Sequence, residues 1–198
     1  MFLDQWAKFS HNGAVFVPSP SKGFHGCLTP DILNLLTLLQ AVFNTILVEV
    51  IKMPRVKYVD SDVALMARMM RAEAEGEGPL GMLMVGNVVV NRLKANCLDF
   101  KDLRSVRDVI FQIQGGNYSF EAVQKGNVFY NRARSVEKRL AKQTLEYWRQ
   151  QPSKYALWYF NPYAPCPPTW YNQPFAGQYK QHCYYEPIAN TCEGAYRW

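Results

Sequence analysis

The chain has 198 residues, of which 48% are hydrophobic and 14% aromatic. This length and apolar content are enough for a globular core, so the composition excludes a disordered chain. The net charge is +6, and the excess lies in residues 53–198, because residues 1–52 carry three lysines and three acidic residues. Such a charge favours an anionic partner, but without an arginine-rich run or an RNA-binding motif it is not typical of a nucleic-acid-binding protein.

Residues 1–52 are predicted to form an N-terminal extension with a single helix. The N-terminus shows no charged segment followed directly by an apolar run and a cleavage site, so no classical signal peptide is predicted. Thr29-Pro30-Asp31 is typical of a helix start. Polar residues occupy one half of the helix that follows, Ile32–Ile51, which predicts an amphipathic helix that packs on a partner or lies on a membrane surface, not one that spans a membrane. The extension is either a lineage-specific anchor or an overextended start.

Two helices are predicted at the beginning of the region 53–198. The first begins at Ser61-Asp62 and ends near Gly76, and the second runs from Gly78-Pro79 to about Leu93. The second is apolar on nearly every side, which predicts the buried centre of the domain. Its two asparagines, Asn87 and Asn91, need hydrogen-bond partners, either in the floor of a site or in an ordinary core network.

The rest of the chain changes from helical to aromatic-rich. Leu103–Gln112 and Ser135–Gln150 are predicted as further helices. From Tyr155 onward, aromatic runs broken by proline and asparagine favour short strands and ordered loops. Residues 53–198 are therefore predicted to form one compact α+β domain, mainly helical, with a small aromatic-rich C-terminal part.

The strongest candidate for chemistry is Glu73. It continues the apolar stripe of its helix and lies in the last helical turn, and both positions disfavour a negative charge. A carboxyl group that keeps its proton near neutral pH is what general-acid attack on a glycosidic oxygen requires. The alternative is an ordinary glutamate at a helix end. Glu75 and Glu77, in the polar turn that follows, are expected to be solvated.

Several separated motifs in a fixed order point to one family. They are RAEAEGEG at 71–78, VGNVVVNR at 85–92, FEAVQKG at 120–126, ALWYFNP at 156–162, WYNQPF at 170–175 and YKQHC at 179–183. Together they resemble the germination cell-wall hydrolases of spore-forming bacteria, the SleB/CwlJ family, and the resemblance is greatest to the CwlJ branch. It extends over about residues 53–198.

The resemblance implies a lysozyme-like domain whose catalytic glutamate is Glu73, although Ala72 stands where the SleB branch has glycine. It implies cleavage of spore-cortex peptidoglycan during germination, at the boundary of coat and cortex, with a spore coat protein as a further possible partner. No metal and no cofactor is expected.

The remaining site residues are predicted less directly. A glycoside hydrolase normally uses two carboxylates, whereas a lytic transglycosylase can use one while the muramic 6-hydroxyl attacks internally. Glu121 is the candidate for a second carboxylate, with a solvated loop acid as the alternative. Aromatic rings and amides suit sugar binding, and the candidates are Phe120, Tyr159, Asn161, Trp170, Tyr171 and Asn172.

Three other functions remain open on the sequence. An amidase that cuts between muramic acid and the stem peptide would need several zinc ligands, and the region of resemblance has one histidine, His182. A cysteine hydrolase would pair Cys97 or Cys166 with His182. A coat protein that binds glycan without cleaving it is the third.

The cysteines are predicted as buried or free thiols, because their total is odd and no CxxC pair occurs. One disulfide among Cys166, Cys183 and Cys192 is the alternative.

Overall fold

The computed structural model describes residues 30–51, 54–130 and 132–197. The chain divides into two units, Met1–Leu47 and Val48–Trp198. Helix α1, Pro30–Ile51, confirms the predicted N-terminal helix, while its predicted cap, Thr29, lies outside the described residues. Apolar side chains of α1 such as Leu39 and Phe43 are more than half exposed. No helix in the described parts of the chain combines the length and apolarity that a membrane crossing requires.

Seven α-helices, some of them a single turn long, lie wholly within the described residues of the second unit. They are α2 (Asp60–Ala74), α3 (Gly78–Ala95), α4 (Val106–Ile110), α5 (Glu121–Gln124), α6 (Asn127–Tyr130), α7 (Ser135–Glu146) and α8 (Glu193–Tyr196). Helices α2 and α3 are joined by a single 3₁₀ turn, Glu75–Glu77. Gly78 follows this turn with φ of 80°, a backbone conformation that favours glycine.

Two predicted helices are shorter in the structure. The predicted helix Leu103–Gln112 is reduced to α4, because the Ser105 hydroxyl accepts a hydrogen bond from the Asp108 N–H at 3.1 Å and so sets the start of the helix. The predicted helix Ser135–Gln150 ends at Glu146, where Tyr147 leaves the helical conformation. Both differences lie at helix ends, where a periodic pattern is least informative.

The strands form two antiparallel sheets. A hairpin pairs β1 (Ile113–Gln114) with β2 (Asn117–Tyr118). The C-terminal sheet has the order β3-β6-β5-β4, with β3 Trp158–Phe160, β4 Thr169–Trp170, β5 Gln173–Tyr179 and β6 His182–Tyr185. This sheet confirms the predicted strand-rich C-terminal part.

Helix α3 forms the centre of the domain, as predicted from its apolar sequence. It packs against α2 and α7, and thirteen of its eighteen residues are buried. Asn87 and Asn91 are buried and hydrogen-bonded in a core network that does not reach the cavity described below. The Arg55 guanidinium donates to the side-chain oxygens of Asn87 at 2.6 Å and Asn91 at 3.1 Å, and both amide groups donate to the Ser153 carbonyl.

Candidate active site

Glu73 lies one residue before the end of α2, with its carboxylate held by two donors. The backbone N–H of Ala122 donates to Oε1 at 2.7 Å, and the Tyr159 hydroxyl donates to Oε2 at 2.9 Å. The Ala122 N–H is available because the first N–H groups of a helix, here α5, have no partner within the helix. Residues far apart in the chain thus converge on one carboxyl group.

The surroundings of Glu73 favour its protonated form. Burial raises the pKa of the Glu73 carboxyl, and the nearby charge of Glu121 raises it further. The hydrogen bonds from Ala122 and Tyr159 and the charge of Arg92 act in the opposite direction, but the net shift is upward. Glu73 therefore holds its proton to higher pH than an exposed glutamate does, as the sequence predicted.

Glu73 lines a cavity of about 770 Å³. Its walls come from the end of α2, the turn that follows, the segment 119–127, strand β3 with the residues after it, and the β5–β6 turn. Polar and charged side chains predominate in the lining. Among them are Glu77, Arg92, Glu121, Lys125, Asn161, Lys180 and His182.

Three of the other predicted site residues line this cavity. Tyr159 contacts Glu73 directly. The Asn161 amide donates to the Gln181 side chain at 3.0 Å. The Glu121 side chain is 70% exposed and forms an ion pair with Lys125 at 2.6 Å.

The other four do not line the cavity. Phe120 is buried, with its ring 6.4 Å from that of Tyr159. The Trp170 ring is partly buried and stacks on Phe160 with centroids 5.1 Å apart. Tyr171 and Asn172 form the two-residue β4–β5 turn and both have positive φ, which is typical of a type I′ hairpin and accounts for the asparagine.

Sequence reasoning missed two buried charged residues of the cavity, Glu77 and Arg92, of which Glu77 is a correction. It was expected to be solvated, but it is 7% exposed, because the turn after α2 directs it inward. Arg92 is also buried, with its guanidinium 4.7 Å from the Phe120 ring centre and 5.0 Å from that of Phe100. Burial lowers the pKa of Arg92 to about 10, so it remains a cation near neutral pH. The only signal for Arg92 in the sequence is a charged residue in an apolar helix.

Four cysteines of the described residues form disulfides, which corrects the prediction of free thiols, and one of the two pairs confirms the alternative of a disulfide among Cys166, Cys183 and Cys192. Cys97 is bonded to Cys192, and Cys166 is bonded to Cys183, while Cys27 lies outside the described residues. The sequence could not fix these pairs, because the fold brings together cysteines as many as 95 residues apart. Neither Cys97 nor Cys166 has a free thiol, so the cysteine-hydrolase alternative is wrong.

Possible metal ligands do not cluster in the described parts of the chain. Within residues 30–51, 54–130 and 132–197, no group of three or more histidine, cysteine, aspartate or glutamate side chains is arranged to hold a metal ion. His182 lines the cavity, but it has no such group around it there.

Comparisons with known proteins agree on one family. A sequence model described as Cell Wall Hydrolase matches residues 76–185, so its match begins three residues after Glu73. The cell wall hydrolase CwlJ of Bacillus subtilis (strain 168) is 53% identical over 141 residues, which cover 71% of this chain and 96% of that relative.

Two solved structures share the fold. The catalytic domain of the Bacillus cereus SleB protein superposes with a TM-score of 0.52 at 26% identity, over 67% of this chain and 96% of that chain. The catalytic domain of the germination-specific lytic transglycosylase SleB from Bacillus anthracis gives a TM-score of 0.52 at 25% identity, over 65% of this chain and 97% of that chain. These matches confirm the predicted lysozyme-like α+β fold.

Proposed function

Because the chain belongs to the SleB/CwlJ family of cell-wall hydrolases, we propose that it cleaves the glycan backbone of spore-cortex peptidoglycan during germination, with Glu73 as the general acid and base. The observation that supports this proposal is the position of Glu73, whose carboxyl group lies in a cavity with a raised pKa and with Tyr159 and Ala122 to orient it.

The proposed reaction starts with the protonated carboxyl group. Glu73 donates its proton to the glycosidic oxygen as the bond from that oxygen to the muramic C1 breaks, and the resulting carboxylate stabilises the positive charge on the sugar. A hydroxyl then attacks C1 and loses its proton to Glu73, which restores the acid. In a lytic transglycosylase this hydroxyl is the muramic 6-hydroxyl, and in a muramidase it belongs to water.

We favour the transglycosylase route, since it needs one acid and base, and among the described residues Glu73 is the cavity carboxylate that both a backbone N–H and a tyrosine hydroxyl orient. Glu121, the other candidate, is exposed and neutralised by Lys125. The description of the Bacillus anthracis relative as a lytic transglycosylase supports the same route. The proposed chemistry needs no metal and no cofactor.

The residues that line the cavity support a glycan as the proposed substrate. Rings of Tyr159, Phe160 and Tyr163 and the amide of Asn161 border it, and aromatic faces and amides suit N-acetylated sugars. The basic charge of residues 53–198 suits an anionic wall polymer. We place the enzyme at the boundary of coat and cortex, where a coat protein is its proposed partner.

Glu73→Gln tests the proposal. The amide keeps the shape of the side chain but cannot donate the proton, so cortex lysis should fall by about 10²–10⁴-fold. Glu75→Gln is the matched control, because Glu75 lies two residues away, is exposed and pairs with Arg71 and Arg134. Near-wild-type lysis by Glu73→Gln would contradict the proposal.

Thermal melts of the same variant check its fold. Because the pKa of Glu73 is raised in the folded state, its contribution to stability is present at low pH and is lost as the pH rises through the folded-state pKa. Above that pH, Glu73→Gln should therefore melt no lower than the wild type. If Glu73→Gln loses cortex lysis but melts no lower than the wild type, the substitution has removed catalysis and not the fold.

A further inference from the structure

A second carboxylate of the cavity, Glu77, has an oxygen without a partner. Its Oε1 accepts a long hydrogen bond from the Gln181 N–H at 3.4 Å, while its Oε2 is buried and unpaired within the described part of the chain. A buried carboxylate oxygen without a donor is costly, so some group outside the protein is expected to supply one.

The unpaired buried atoms concentrate around the cavity. Over the described ranges, five side-chain atoms are buried without a partner, and three of them belong to cavity-lining residues: Glu77 Oε2, Arg92 Nη1 and His182 Nδ1. A fourth, the Tyr184 hydroxyl, lies close behind, with its ring 6.4 Å from that of His182. Buried polar groups are rarely left unpaired, so this concentration indicates a place where a ligand completes the hydrogen bonds.

The fold makes room for Glu77 at the start of a helix. Glu77 is the cap residue at the N-terminal end of the eighteen-residue helix α3, the end of a helix at which acidic side chains are preferred. Gly81, one turn along α3, has no side chain, and a Cβ there would lie 2.2 Å from the Cβ of Glu77. Glu73, in contrast, lies at the C-terminal end of α2.

The residue beside Glu77 on the cavity wall is a neutral histidine. Burial lowers the pKa of His182, although the charge of Glu77 acts against this shift. The His182 ring also meets the Tyr159 ring edge-on, with centroids 5.2 Å apart. Because Tyr159 donates to Glu73, this contact connects the surroundings of Glu77 to the proposed reaction centre.

We propose that Glu77 and His182 form a sugar-binding site, in which the Glu77 carboxylate accepts a hydrogen bond from an amide N–H or a hydroxyl of the glycan unit beside the bond held at Glu73. The inference rests on the proposed function. It assigns the second carboxylate of the cavity to Glu77 and not to Glu121, and it gives Glu77 the role of holding the substrate while Glu73 transfers the proton.

The test measures binding without cleavage. In the full chain carrying Glu73→Gln, calorimetry compares chitohexaose with cellohexaose, two neutral hexasaccharides that differ in having an acetamido group or a hydroxyl at C2. Adding Glu77→Gln should weaken chitohexaose binding by about tenfold, the loss expected for one charge-assisted hydrogen bond. The amide oxygen would take the bond from Gln181, which leaves the NH₂ group facing the donor of the sugar.

Glu75→Gln in the same background is the matched control and should leave both affinities unchanged. A loss confined to chitohexaose assigns the contact to the acetamido N–H, and an equal loss for both sugars assigns it to a hydroxyl. Unchanged affinity for both sugars on Glu77→Gln would overturn the inference.

A second measurement covers the case in which Glu77→Gln does not fold. The imidazole nitrogen resonances of His182 are followed by NMR in the Glu73→Gln protein as chitohexaose is added, and they should shift on saturation. Bound sugar without any His182 shift would overturn the inference. The proposed function is tested separately, by whether Glu73→Gln still cleaves the glycan, and binding of the sugar by Glu77 and His182 does not decide that result.

Discussion

Three glutamates within five residues have three different environments. Glu73 is held in the cavity wall with a raised pKa, whereas hydrogen bonds from Arg134 and Arg71 lower the pKa of Glu75 at the surface. Glu77 is buried at the start of α3. A short turn between two helix ends of opposite polarity thus separates the proposed proton donor, an exposed ion pair and a buried carboxylate.

Tyr159→Phe should move the pH dependence of catalysis to higher pH. With Glu73 as the proposed acid, activity is expected to fall as the pH rises through the pKa of its carboxyl group. The hydrogen bond from the Tyr159 hydroxyl lowers that pKa. Its removal should therefore raise the pKa of Glu73 and move the alkaline limb of the kcat/KM profile to higher pH. Profiles of the variant and the wild type on cortex fragments check this.

Tyr163→Phe is the control for the tyrosine substitution, since Tyr163 also lines the cavity but is 92% exposed. It should leave the alkaline limb in place. An alkaline limb that stays fixed or moves to lower pH in Tyr159→Phe would contradict the assignment of Glu73 as the acid.

At the residue scale, the sequence predicts the part of the site that local rules determine. Glu73 follows from the apolar stripe and the helix end, and both are local patterns. Tyr159 was selected, but its contact with Glu73 spans 86 residues and depends on the fold. The prediction that Glu77 is solvated was wrong because the packing of the helices on either side sets the direction of a side chain in a one-turn connection. The periodicity of the sequence does not report that packing.

At the element scale, helices were predicted more completely than the sheet. The centre of the domain, α3, follows from its apolar sequence, because a helix that is apolar on all sides must be buried. The strand order β3-β6-β5-β4 does not follow from the sequence, since it depends on pairing between distant segments. The same reason explains why Trp170, predicted to bind sugar, stacks on Phe160 and does not line the cavity.

Arg55 connects α3 with the C-terminal end of α7 and the residues after it, and its removal should destabilise the domain. Its guanidinium donates to Asn87 and Asn91 on α3 and to the carbonyls of Thr144 and Trp148. Arg55→Ala leaves these oxygens unpaired, at a cost of about 1–3 kcal/mol for each amide oxygen in free energy of unfolding. Urea denaturation measures the change.

Arg104→Ala is the comparison for Arg55→Ala. Arg104 is 74% exposed and pairs with Asp102 at the surface, so its loss should change the free energy of unfolding by less than about 1 kcal/mol. Equal effects of the two substitutions would show that the Arg55 network does not stabilise the domain.

At the scale of the whole molecule, the predicted division into an N-terminal extension, 1–52, and a domain, 53–198, gives a truncation test. A chain that begins at Met53 retains Arg55 and every element from α2 onward, so it should fold and lyse cortex as the full chain does. A chain that begins at Lys57 lacks Arg55 and should melt at a lower temperature. Melting curves and lysis assays compare the three chains.

Two results of the truncation experiment would contradict these predictions. If the chain from Met53 is insoluble or inactive while the full chain is active, residues 1–52 belong to the catalytic domain, and the division into 1–52 and 53–198 is wrong. If the chains from Met53 and Lys57 behave alike, the segment at Arg55 does not secure the start of the domain.

Identification of the bond that the protein cuts in peptidoglycan tests the central claim most directly. Mass spectrometry of the muropeptides released from purified cortex distinguishes anhydro-muramic ends, reducing muramic ends and free stem peptides. We predict anhydro-muramic ends with the stem peptides still attached, and no such products from Glu73→Gln. Free stem peptides released from an intact glycan would contradict cleavage of the backbone and would identify the protein as an amidase.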